Sequence, residues 1–176
     1  MALLSFEQGD FSEVSEALDI AEDATGNFFK FSLGQWKRHR YEVRTLASLS
    51  QDEISHQAFA LLSRRLRQGG GGMTTKERCD MYFICLQDHQ ILRALKRDKG
   101  LRLLALLVYI FTHELVHIVR FCNFFQRFVV SEKERASEER IVHEITFEIL
   151  DSLSVQKLTY VLDSYRGHRI CDMAFS

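Results

Sequence analysis

The chain has no proline in 176 residues, so glycine is left as its main helix breaker. Neither sign of charge is in excess: 23 Lys and Arg stand against 24 Asp and Glu, a net charge of −1. Without a basic footprint, neither nucleic acid nor a membrane is an expected partner. The four cysteines, Cys79, Cys85, Cys122 and Cys171, form no CxxC pair and no dense framework. Free thiols in a reducing cytoplasm follow from that usage. No apolar run reaches the roughly 20 residues of a membrane span. The longest, Leu103 to Thr112, is bounded by Arg102 and by His113 and Glu114, and reads as a buried core helix. The opening MALLSFEQGD has no basic segment ahead of its apolar residues, so a secretory leader is not expected.

What is present is the composition of a folded protein, 46% hydrophobic and 27% charged, long enough for one domain over residues 1–176. The charge is unevenly spread. Residues 1–27 carry seven acids and no Lys or Arg, which leaves the remainder net basic by six. Asp10 and Glu13 open an acidic amphipathic helix within residues 1–26, continued by Phe11, Val14, Ala17, Leu18 and Ala21 and ended at Thr25-Gly26-Asn27. Such a helix could dock on the basic remainder and shield a cleft as an inhibitory segment does.

Alternation at Phe29, Phe31 and Leu33, and again at Tyr41, Val43 and Thr45, predicts two strands joined as a hairpin. Trp36 with Lys37, Arg38, His39 and Arg40 reads as a solvated strand or loop. The stripe Ile54, Ala58, Phe59, Leu61 and Leu62 predicts a helix to about Arg67, stopped by Gly69 to Gly72, a flexible loop. A strand at MYFICLQD and a brief helix at HQILRALKR follow. Two long helices then run from Leu101 to about Phe128 and, capped at Ser131, from Glu132 toward Leu158. The fold class expected is α+β, mostly helical, with a small sheet.

The chemistry concentrates in His113-Glu114-Leu115-Val116-His117, an HExxH pattern inside the apolar helix. Burying two imidazoles and a carboxyl costs free energy unless they are satisfied. The i, i+4 spacing puts both imidazoles on one face, where they can converge on one cation. Zinc suits such ligands, and a catalytic zinc keeps three protein ligands and one position for water. Glu114 lies too far round the helix to join them and is placed to accept a water proton and pass it to a leaving amine.

A third ligand has to come from elsewhere. If the two long helices pack as antiparallel neighbours, Glu138, Glu139 and His143 come level with the histidines. Glu139 is favoured as ligand, with His143 close behind; one of the pair could ligate while the other orients a ligating histidine. The opposing reading is a solvated helix face held by the pairs Arg135–Glu139 and Arg140–Glu144. Tyr160, Tyr165, Arg166 and His168 are candidate donors to an oxyanion.

THELVHIVRF with a downstream EERIVHE resembles the zincin metallopeptidases, and among them the gluzincins, over residues 101–150. That resemblance implies a zincin-like single domain with an HExxH active-site helix, His113 and His117 as zinc ligands, Glu114 as general base, Glu139 as third ligand, and a peptide or protein substrate. The metzincin extension is absent, since Arg120 and Asn123 stand where its glycine and third histidine would be. The Asn-Glu-x-x-Ser-Asp context usual around the gluzincin third ligand is missing as well. The rival expectation is a metal-stabilised interaction or regulatory domain without turnover; a different carbonyl hydrolase on the same metal is a third.

Overall fold

The computed structural model describes residues 3–38, 40–66, 80–123, 130–166 and 171–173. Along them run α1 (Asp10–Phe29), α2 (Leu33–Arg38), β1 (Tyr41–Arg44), β2 (Ala60–Leu66), β3 (Asp80–Leu86), α3 (Asp88–Arg97), α4 (Leu103–Cys122), α5 (Glu132–Asp151), α6 (Leu158–Tyr165) and β4 (Cys171–Met173). The fold is α+β and mostly helical. The glycine loop expected at 69–72 lies outside the described residues.

α4 is the axis of the molecule. From Leu103 to Phe121 every residue but Leu104 and Arg120 is buried, so its apolar character runs round the whole helix, as in a core helix. It is long and apolar enough to cross a membrane by composition, but 89% of that stretch is buried by the chain itself. α1 packs along one side, burying Val14, Ala17 and Ala21, whose small side chains let the helices approach closely. Glu13 of α1 accepts a hydrogen bond from the Leu104 amide at 2.9 Å. α4 has no side-chain cap of its own at Arg102, so this carboxylate satisfies one of its unpaired amides and complements its dipole. The acidic helix therefore packs as part of the core.

The sheet has the order β1-β3-β2-β4. β1 pairs with β3 in parallel, β2 with β3 antiparallel and β2 with β4 in parallel. One face, with Ala60, Leu62, Tyr82, Ile84 and Leu86, joins the main core. Tyr82 stacks on Phe121 of α4, ring centroids 5.9 Å apart. Leu61, Phe83 and Cys85 form a smaller cluster on the other face, covered by the Arg44 guanidinium 3.9 Å from the Phe83 centroid.

Three sequence expectations fail here. The helix expected over 50–67 is a single 3₁₀ turn (Gln51–Glu53) and then strand β2. Its apolar run carries both periods, and pairing with β3 selects the two-residue one, with Ala60 and Leu62 inward and Leu61 on the outer face. The strand expected at Phe29 to Leu33 is instead the end of α1 and the start of α2. α1 runs past Gly26 and closes where Lys30 takes a left-handed φ of 53° and Phe31 N–H donates to Gly26 O at 2.8 Å. Phe31 then packs edge-on to Trp36, centroids 4.6 Å apart, and Trp36 Nε1 comes so near Gly26 that a Cβ there would sit 3.4 Å from it. The last long helix ends at Asp151, not near Leu158, where α6 begins. The capping box at its start is as expected, with Ser131 and Glu134 each bonding the other's backbone amide.

Candidate metal centre

α4 and α5 pack side by side and bring the site together. On α4 the row Tyr109, His113, His117 and Phe121 recurs every four residues along one face. His113 and His117 are both fully buried, with ring centroids 4.9 Å apart. Their Nε2 atoms lie 3.2 Å from each other. Glu139 enters from α5, its Oε2 3.3 Å from His113 Nε2 and its Oε1 3.1 Å from His117 Nε2.

These three spacings, two of them to different Glu139 oxygens, are close to what a shared cation would set. Two ligands on a tetrahedral zinc with bonds of about 2.0–2.1 Å stand about 3.3 Å apart, and the spacings here match that edge. Glu139 Oε2 is buried and 3.3 Å from His113 Nε2, yet it has no hydrogen-bond partner among the described residues. The donor set of two imidazoles and a carboxylate suits zinc, so the residues present fit the ion.

Electrostatics keeps the ligands in their binding forms. Burial depresses the His113 imidazole below its ordinary value, against the pull of Glu139, so the ring is neutral. For Glu139 burial favours the acid, but the two imidazoles facing it outweigh that and hold the carboxyl well below its usual range. One feature departs from common metal sites: His113 Nδ1 is buried and has no hydrogen-bond partner among the described residues, whereas a ligating histidine usually donates there.

Glu114 is fully buried and is not among the converging groups. Its charge reaches Cys85 on β3, whose thiol is pushed up to about 12, by burial first and then by Glu53, with Glu114 adding. His143, one turn beyond Glu139, sits with its ring 4.8 Å from that of His113. It is outside the converging group, and its Nδ1 meets Tyr109 Oη at 3.3 Å. Burial, and then the neighbouring His113, lower it to about 4, so it too is neutral. Glu138 does not compete for the metal: it accepts from Arg120 Nη2 at 2.7 Å and Nε at 3.2 Å, clamping the last turn of α4 to α5.

The oxyanion candidates scatter. Tyr160 is turned away, donating to Asp98 with its ring against Gly100. Tyr165 stacks on Tyr109, centroids 6.3 Å apart, and the Arg166 guanidinium lies 5.3 Å from the Phe147 centroid. His168 lies outside the described residues. Sequence reasoning missed Tyr109, although stepping four residues back from His113 reaches it.

No family model matches the chain, and no curated protein or solved structure matches it.

Proposed function

We propose that this chain is a zinc-dependent hydrolase of zincin-like fold, resembling a short single-domain gluzincin, that cleaves a peptide or amide bond. The observation that carries the reading is the mutual spacing of 3.2, 3.3 and 3.1 Å among His113 Nε2, His117 Nε2 and the Glu139 carboxylate. These three side chains would hold the ion. When bound, zinc supplies a polarised carbonyl and a water acidified to a pKa of about 7.

Glu114 is the proton carrier in this reading. Its carboxylate takes the proton of the attacking water and returns it to the departing amine, which needs a base beside the ligands but not among them. His113 and His117 keep their geometry because α4 is buried along both flanks, and the scarcity of water around them strengthens every charge interaction at the site. The Arg120–Glu138 pair fixes the separation of the two helices beside the ligands. Peptide or protein is the proposed substrate, with neither nucleic acid nor membrane as partner. Free thiols at Cys85 and Cys122 support a reducing cytoplasm.

Metal analysis and the Glu114→Gln variant test the proposal together. About one equivalent of zinc is expected in both proteins, with hydrolysis of a mixed peptide library only in the wild type. Equal hydrolysis by both, or no zinc, overturns it.

A second reading has one observation in its favour: both histidines are fully buried and the Glu139 side chain is only 15% exposed. A metal closed off in this way suits a non-catalytic interaction or regulatory domain stabilised by its ion. X-ray absorption on the zinc-loaded protein separates the two, since a catalytic ion keeps one oxygen from water and a structural one takes a fourth protein ligand.

A further inference from the structure

A cavity of about 380 Å³ beside α5 is lined by Arg140, His143, Glu144, Phe147 and Arg166. That is the size of a small-ligand cleft, about 300–1,000 Å³. Its position ties it to the metal centre. His143 forms its wall on one side and touches the ligand His113 on the other, ring centroids 4.8 Å apart. Arg140, Glu144 and Phe147 follow at i, i+4 and i+7, one residue round the helix from Glu139 and His143. The cavity therefore runs beside the metal site along the same helix.

Its chemistry is that of a receptor for an anion with an apolar body. Arg140 and Arg166 enter no ion pair among the described residues, and Arg166 is placed by Phe147, 5.3 Å from its ring centroid. Two guanidiniums face one carboxylate, Glu144, so the lining carries a net positive charge over a phenyl floor. A guanidinium reads a carboxylate through paired, charge-assisted hydrogen bonds. We propose that this cavity selects substrates bearing a carboxylate next to the scissile bond, either the C-terminal carboxylate of a peptide or an Asp or Glu side chain. The inference rests on the metallopeptidase reading for what is cleaved, and on Arg140, Phe147 and Arg166 for what is recognised.

The test uses full-length, zinc-loaded Glu114→Gln protein, so that peptides bind without turnover. Anisotropy is read with three versions of one labelled pentapeptide ending in an aromatic residue: free acid, C-terminal amide, and amide with Glu in the last place. A free acid or Glu peptide binding about tenfold tighter than the plain amide, with the gain lost in Arg140→Ala or Arg166→Ala, is the expected result. Gain for the free acid alone identifies a chain terminus as the source; gain for the Glu peptide alone identifies a side chain. Arg140 is exposed, so its truncation leaves the core intact; if Arg166→Ala misfolds, competition by N-acetylphenylalanine against its amide on the unsubstituted cavity gives the same reading. Equal binding of all three peptides, or equal weakening of all three by the Arg variants, overturns the proposal. Zinc content measured on the same samples reports separately on the hydrolase reading, because a zinc-free protein that still prefers carboxylates sinks that reading alone.

Discussion

α4 and α5 each run 20 residues and each supply the His113–His117–Glu139 cluster, but from opposite environments. α4 is buried almost throughout and offers two neutral imidazoles. α5 buries only Val142, Thr146, Ile149 and Leu150 and offers one carboxylate, its side chain 15% exposed, that turns inward to the two histidines. The difference teaches where rigidity and access are divided. The two imidazoles sit on the enclosed helix, and the partly exposed carboxylate sits on the more open one.

Removing a ligand from each helix is the strongest way to break this contrast. His117→Ala should abolish stoichiometric zinc binding and hydrolysis, and should also lower the melting temperature of the metal-free protein, because it empties a fully buried site. Glu139→Gln should likewise release zinc and should lower the metal-free melt by less, since it keeps the side chain's volume while removing a carboxylate that the two imidazoles stabilise. A larger thermal loss in Glu139→Gln than in His117→Ala would overturn that order.

Next in size is Glu114→Gln, expected to cut turnover by about 10²–10⁴-fold with zinc retained, which stopped-flow hydrolysis and atomic emission would read on one sample. It sharpens the comparison by separating proton transfer on α4 from metal retention.

Acid should act through the shared interface. In metal-free protein His143 falls from 6.5 to about 4 on folding, so the unfolded chain binds more protons between those values. Stability is therefore lost as pH drops from about 6.5 toward 4. The depressed Glu139 carboxyl works in the same direction from about 4.5 downward. Melting in the presence of chelator across this range should show the fall, and His143→Gln should flatten its upper part. Smallest is the clamp between the helices: Glu138→Gln should cost about 1 kcal/mol by denaturant melting, because the Arg120 pair is charge-assisted yet 11% and 19% exposed.

Much of this contrast was legible in the chain. A His pair at i, i+4 inside an apolar run marks α4, and the Ser131–Glu134 box marks the start of α5. If the helices pack as neighbours the sequence favours Glu139, and it is the residue that meets both imidazoles. Glu138, one position earlier, faces Arg120; a rotation of one residue separates the two fates and only packing decides it. β2 was misread because a run of apolar residues satisfies two periods at once, and its partner β3 lies across residues that give no local signal for the pairing. The cavity beside His143 was not legible, since Arg166 reaches it from beyond α6.

Among the described residues Glu139, at 15% exposure against none for either histidine, is the member of the cluster that solvent touches. The cavity lined by Arg140 and Arg166 shares His143 with that neighbourhood. If zinc is held there and leaves along α5, a molecule seated in the cavity should slow its escape to a chelator.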